Sequence, residues 1–444
     1  MQPAIQQKTV FGHPPGLMIL FFTELWERFS YYGMRALFTL FLVAETTAEN
    51  PGFGWTNSQA IELYGWYTML VYLSSVPGGF IADRLLGQRK TVFLGGLLLC
   101  IGHGVLALES HTSFYVGCAF IILGVGCLKP NISSMVGGLY RQGDKRRDLG
   151  FYIFYMGINI GGFTAPILCG WVGETYNWHY GFGLAAIGMI IGQFVYIYGQ
   201  KYLRGVGDFV GSLSHPDNSV LKRNLTKIEK DRVKVLLISF LLIIIFWGAF
   251  EQAGGLMNLY AKQKTDRMLM GWEVPASWFQ SLNSFFIITL AVLVGGFWFR
   301  WKNKGREASS LFKMAVGLLI MSWGFLFMRF AASDYQMAGT SPMYWLVLAY
   351  LFHTIGELCA SPVSLSFITK LAPIKYASII MGLYWAATGL GNKLAAFLGK
   401  YAQSAGEKEI FTGIFITCSL IAILVILSLK PLKRLTHGAE DKET

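Results

Sequence analysis

Apolar residues in this chain gather into twelve long runs separated by short polar segments. The runs cover about 16–43, 60–82, 91–108, 114–140, 148–171, 180–199, 233–257, 276–299, 310–330, 343–367, 376–399 and 410–429. Most reach or exceed the ~20 residues that a helix needs to cross a hydrocarbon layer, and the longer ones are expected to tilt. The pattern therefore predicts an all-α membrane protein with about twelve transmembrane helices. The polar stretch 200–232 divides the runs six and six. This division leads us to expect an N-terminal six-helix bundle over 1–199, a cytoplasmic linker over 200–232, a C-terminal six-helix bundle over 233–430 and a polar tail over 431–444, with a site at midplane between the bundles.

The charges fix the orientation. Segments after the even-numbered runs hold Arg84, Arg89 and Lys90; Arg141, Lys145, Arg146 and Arg147; Lys222, Arg223, Lys227, Lys230 and Arg232; Arg300, Lys302, Lys304 and Arg306; and Lys370 with Lys375. The tail adds Lys430, Lys433 and Arg434. Segments after the first, third, fifth and ninth runs hold no Lys or Arg, while the segment after the seventh holds Lys262, Lys264 and Arg267. The alternation places both termini in the cytoplasm. Only 14% of the residues are charged and 54% are hydrophobic, against about 25% charged in soluble domains. The net charge of +12 thus belongs to membrane loops, and no folded domain remains to hold nucleic acid. The six cysteines all lie in apolar runs, as small packing residues rather than a disulfide or metal framework. The first run exceeds a signal-peptide core and is read as retained.

Charges inside the runs carry the chemistry. In Glu24-Leu-Trp-Glu27-Arg28-Phe-Ser-Tyr31-Tyr32-Gly33, helical spacing puts Glu24, Glu27, Arg28, Tyr31 and Arg35 on one face. Each central charge costs about 2.5–3.5 kcal/mol on insertion scales, so such a face marks an ion or substrate pathway. Glu24 and Arg28 can pair at i,i+4, leaving Glu27 in need of another cation. Lys129, followed by Pro130 in the fourth run, sits at a compatible depth. A carboxylate beside a mobile cation can load and release a proton as the partner leaves. Glu251 in the seventh run lies in its outer half, as Arg35 does in the first, and an Arg35–Glu251 pair is expected to gate the outer side. His103 and His353 are expected to be hydrogen-bonded within the helices, and Lys393 to snorkel.

The segment Gly79-Phe-Ile-Ala-Asp83-Arg84-Leu-Leu-Gly87-Gln88-Arg89-Lys90 resembles the loop signature of the major facilitator superfamily, with Gly79 expected at a close helix approach. The opening motif resembles that of the proton-dependent oligopeptide transporter (POT) family of bacterial type. Three further segments support it: Phe154-Tyr-Met-Gly-Ile-Asn159-Ile-Gly-Gly-Phe163, Phe246-Trp-Gly-Ala-Phe-Glu251-Gln252 and Gly356-Glu357-Leu-Cys-Ala-Ser361-Pro362. The resemblance runs from about residue 16 to 430 and implies a major facilitator fold. Bacterial members usually insert two extra helices between the halves. The polar linker here predicts twelve spans instead of fourteen, and Gly254-Gly255 stands where the family often has serines.

The resemblance implies a proton-coupled symporter importing di- and tripeptides by alternating access. Glu24, Glu27, Arg28, Lys129 and Glu251 are its proton-coupling candidates. Arg35 and Lys129 suit a peptide carboxylate and Glu357 suits its ammonium group. Tyr31, Tyr32, Tyr67, Asn159, Asn283, Ser361 and Trp385 match family pocket positions. The expected partners are small peptides, protons and the lipid bilayer, with a single chain as the working unit and the bacterial inner membrane as its location. No cofactor or metal is expected, because the proton gradient supplies the drive. No P-loop, metal spacing or nucleophile with an ordered base supports an ATP-driven pump or an enzyme. The rival readings are the same fold carrying nitrate or an amino-acid conjugate, and a nutrient sensor that does not transport.

Overall fold

A computed structural model describes residues 9–141, 144, 146–209, 224–373 and 376–439. The loop cations Lys145, Lys222, Arg223 and Lys375 lie outside the described residues, as does the end of the tail. In chain order the helices are α1 (Pro15–Val43), α2 (Asn57–Leu73), α3 (Ser75–Ile81), α4 (Gln88–Leu106), α5 (His111–Gly138), α6 (Arg147–Thr175) and α7 (Trp178–Gly199). They continue as α8 (Lys227–Phe250), α9 (Leu256–Gln263), α10 (Ser281–Asn303), α11 (Ser310–Ala338), α12 (Tyr344–Leu371), α13 (Ala377–Ala405), α14 (Glu407–Leu427) and α15 (Leu429–Thr436). Each apolar run read from the sequence falls on these helices. Among the described residues, nine helical segments are long and apolar enough to cross a membrane.

Helix ends follow local chemistry. Ser110 caps α5 by accepting from the Ser113 amide, and Asn177 caps α7 by accepting from the His179 amide. Thr226 and Glu229 form a reciprocal capping box at the start of α8, which satisfies amides left free in a first helical turn. Packing divides the chain into two compact units, Met1–Leu37 with Leu73–Leu213, and Phe38–Tyr72 with Ser214–Thr444. The boundary falls inside α1.

In the first unit, small residues let helices approach to backbone contact, as membrane packing requires where lipid is as apolar as the protein. A Cβ placed on Gly161 of α6 would lie 2.3 Å from the Leu25 carbonyl oxygen of α1. One placed on Gly78 would lie 1.9 Å from the Gly126 carbonyl oxygen of α5. The close approach in the loop motif is therefore at Gly78, and its neighbour Gly79, expected in that role, faces open space. The motif turns between α3 and α4 at Gly87, whose φ of +78° suits glycine. Beyond the turn, Arg89 pairs with Asp208 at 2.7 Å.

In the second unit, α8 ends at a 3-10 turn, Glu251–Ala253, before α9 begins at Leu256. The seventh run is thus two helices, broken at Gly254-Gly255. Side chains answer the backbone groups that the break frees. Thr39 donates to the Gly254 carbonyl at 3.2 Å and Tyr350 to the Ala253 carbonyl at 3.3 Å. Two of the cations of the following segment, the exception in the charge alternation, are locally neutralised: Lys264 pairs with Glu407 at 2.6 Å and Arg267 with Glu273.

The short helix α15 is held by polar contacts. Arg232 donates to the Thr436 carbonyl at 3.0 Å, and Lys433 pairs with Glu307 at 2.9 Å. Burial pushes the Glu307 carboxyl up, but hydrogen bonds from Lys433 and the Ser309 amide outweigh it and hold it down at about 2.

Two outcomes follow from this packing. Gly161→Leu forces α6 away from α1 and should lower stability by about 1–3 kcal/mol, read as a fall in the unfolding midpoint of detergent-purified protein; an unchanged midpoint would contradict the close approach. For Glu307 the folded value lies below the ordinary 4.5. Its contribution is therefore complete above about pH 4.5 and lost as pH falls toward about 2. Glu307→Gln should accordingly be less stable than the parent at pH 7, with a gap that closes on acidification in that window. A gap that widens there would refute the sign.

Candidate functional site

The first-unit cluster is built on the charged face of α1. Glu24, Glu27 and Arg28 are all buried, Glu27 completely at 0% exposure. Arg28 Nε and Nη2 donate to the two carboxylate oxygens of Glu27, while Glu24 Oε1 lies 3.4 Å from Arg28 Nε. This corrects the expected pairing. The i,i+4 partner Glu24 holds the weaker place, and Glu27 takes the bidentate guanidinium fork rather than a cation from another helix. The reason is reach: a buried arginine can fold its planar head back over the adjacent residue, which helical spacing alone does not predict.

Two carboxylates share one guanidinium. Glu24 Oε2 is buried and has no hydrogen-bond partner among the described residues. Lys129, half-buried on α5, is near enough for its charge to act on Glu24. Aromatic faces complete the cluster. The Arg28 guanidinium lies 5.1 Å from the centre of the Tyr31 ring and 5.9 Å from that of Tyr32, and Arg35 lies 5.7 Å from Tyr32. Such contacts stabilise a desolvated cation. Asn159 is buried on α6, and its amide nitrogen donates to the Tyr155 carbonyl of its own helix at 2.9 Å.

The second unit holds the other candidates. Glu251 is buried on the turn between α8 and α9, and the Tyr64 hydroxyl donates to its Oε2 at 3.1 Å. Asn283 of α10 donates to Glu357 Oε2 of α12 at 2.8 Å and to the Thr354 hydroxyl at 3.1 Å. Trp385 of α13 stacks on Tyr72 with ring centres 6.1 Å apart, and Tyr67 stacks on Phe38 at 5.1 Å. Ser361 borders a small cavity of about 20 Å³ beside Phe246 and Trp247. Arg35 belongs to the first unit and Glu251 to the second.

Sequence reasoning missed four polar residues. Tyr64 stands one turn before Tyr67, and Thr354 one turn before Glu357, so helical spacing from a named candidate could have found both. Thr39 and Asn258, hydrogen-bonded at 3.1 Å, carry no such signal. His103 and His353 also differ from expectation. Both are buried, and neither ring nitrogen has a hydrogen-bond partner among the described residues. Lys393 rests its ammonium 3.9 Å over the Trp66 ring. Among the described residues, no group of three His, Cys, Asp or Glu side chains could hold a metal.

Long apolar helices with charge clusters inside them make a multi-pass membrane protein, and its likeness to known proteins makes it a transporter of the major facilitator type, not an enzyme. The family model for the POT family matches residues 89–208 and 216–411. The chain belongs to that family, whose bacterial members reside in the inner membrane. It is 36% identical to a peptide transporter of Yersinia enterocolitica, over 98% of each protein. That alignment runs over 505 residues, more than the 444 of this chain. It is 35% identical to a di-/tripeptide transporter of Lactococcus lactis, over 97% of this chain and 98% of that one. A crystal structure of a peptide transporter POT mutant in complex with alafosfalin matches with a TM-score of 0.90, at 34% identity and 97% coverage of both chains.

The shared guanidinium sets an order of stabilities. Arg28→Met leaves two buried carboxylates without their cation and should cost about 3–5 kcal/mol. Glu27→Gln should cost less and Glu24→Gln least, because one Glu24 oxygen already lacks a partner. Unfolding midpoints of the three purified variants test the order, and a Glu24→Gln loss equal to that of Arg28→Met would overturn it.

Proposed function

We propose that this chain imports di- and tripeptides together with protons, by alternating access and with one chain as the working unit. The observation that carries this reading is the pair of buried carboxylates, Glu24 and Glu27, sharing Arg28 inside a membrane helix. A proton neutralises the spare charge of that group. So does Lys129 when it turns toward Glu24. A peptide carboxylate competes with Glu24 for Lys129, so peptide binding and proton binding favour each other. This is the coupling that a symporter needs. The likeness to peptide transporters in Yersinia and Lactococcus supports the cargo.

In this reading Arg35 and Lys129 take the carboxylate of the peptide. Glu357 takes its ammonium group, with Asn283 holding the glutamate in place. Tyr31, Tyr32, Tyr67, Asn159, Ser361 and Trp385 supply amphipathic walls that accept varied side chains. Arg35 and Glu251 act as gate residues. Protonation of Glu251 removes its charge and leaves Tyr64 as its partner. The two repeats over 1–199 and 233–430, joined by the 200–232 linker, are the moving parts.

Uptake of labelled dialanine into proteoliposomes tests the reading. An inward proton gradient should drive accumulation that excess tripeptide blocks and nitrate or free alanine does not. Glu27→Gln should abolish gradient-driven uptake while counterflow exchange stays measurable, and Lys129→Ala should lose both modes. Full gradient-driven uptake by Glu27→Gln would remove that carboxylate from the coupling step. Accumulation blocked by nitrate alone would replace the cargo.

A further inference from the structure

The helix α10 differs from its neighbours: only 17% of its most apolar window is buried within the protein, against at least 33% for the other candidate spans. Its last turns carry a groove of about 480 Å³. The walls of the groove are apolar, with Val292 82% and Leu293 66% exposed and Phe297 beside them. Its floor is Gly296, where an added Cβ would meet nothing within 4 Å. Its rim is cationic, formed by Arg300, Lys304 and Arg306 around Trp301. Arg306 stacks 4.6 Å over the Trp301 ring, and Trp301 Nε1 donates to the Glu307 carbonyl at 2.8 Å, so one side of the rim is fixed. Among the described residues, the side chains of Arg300 and Lys304 hold no ion pair.

We propose that this groove binds one anionic phospholipid, its headgroup phosphate on Arg300 and Lys304 and an acyl chain along Gly296, Leu293 and Phe297. Charge and shape agree on the occupant. An apolar trough open to the bilayer takes a hydrocarbon chain, and a cationic rim at the end expected to face the cytoplasm meets the anionic leaflet. A tryptophan at that level is placed where interfacial aromatics gather. Soluble anions match the rim alone, and neutral lipids match the trough alone. The site is independent of the transport reading, because it uses no residue of either functional cluster.

Native mass spectrometry of the full chain in detergent, titrated with phosphatidylglycerol, phosphatidylcholine and glycerol 3-phosphate, tests the proposal. The expected result is one phosphatidylglycerol bound at least tenfold more tightly than phosphatidylcholine, with no retention of glycerol 3-phosphate. Arg300→Gln/Lys304→Gln should lose that tenfold preference. Gly296→Leu, which fills the trough but keeps every charge, should weaken phosphatidylglycerol as well. Lys201→Gln/Arg204→Gln removes the same charge elsewhere and should leave the preference intact. Equal binding of the two lipids, an unchanged preference in the Arg300/Lys304 variant, an equal loss in the Lys201/Arg204 control, or retention of glycerol 3-phosphate would each overturn the proposal. Unfolding midpoints of the variants, expected within a degree or two of the parent, separate a lost site from a lost fold.

Discussion

The interaction on which the first unit depends is the guanidinium of Arg28 held between two buried carboxylates. A membrane helix gains nothing from burying three charges unless their hydrogen bonds are nearly complete. Arg28 meets that condition toward Glu27 through its two donors, and the small residues packed against α1 bury the pair. Gly161 brings the α6 backbone against Leu25, and a Cβ on Gly33 of α1 would meet Cys169 of α6 at 2.7 Å. The motif on α6 and the motif on α1 are therefore one device. The glycines on one helix allow the close approach that buries the charges on the other.

The second unit meets a comparable cost in another way. Its seventh apolar run is broken at Gly254-Gly255, which frees backbone groups that lipid cannot satisfy. Hydroxyls from Thr39 and Tyr350 answer the carbonyls of Gly254 and Ala253, and Gln252 reaches the Ala395 carbonyl at 2.9 Å. Glu251 sits on the turn itself, held by Tyr64. A carboxylate at a helix break is anchored by backbone that can rearrange at small cost, since glycine accepts many conformations. The Asn283–Glu357 pair, by contrast, joins two unbroken helices and is fixed at both ends.

Most of the fold was legible in the sequence because lipid imposes a simple rule: apolar runs of sufficient length become helices. The buried charges stood out for the converse reason, since charges in such runs are costly. Partner choice was not legible. Spacing favoured Glu24 for Arg28, yet the guanidinium fork closes on Glu27, because a rotamer and a packed neighbour decide it. Gly78 and Gly79 are identical in sequence, and only the approach of Gly126 separates their roles. The break at Gly254-Gly255 could have been read from its two glycines, but an apolar run of full length concealed it.

The buried histidines and the buried carboxylates occupy opposite electrostatic settings. His103 and His353 are buried with both ring nitrogens unpartnered among the described residues, and the His353 ring packs 4.6 Å from Phe325. Protonating either would bury a cation with no counter-charge, a far greater cost than leaving a neutral ring unbonded. The carboxylates on α1 differ in that they already share a cation, the Arg28 guanidinium. The two environments are set apart by the sign of the charge each already holds.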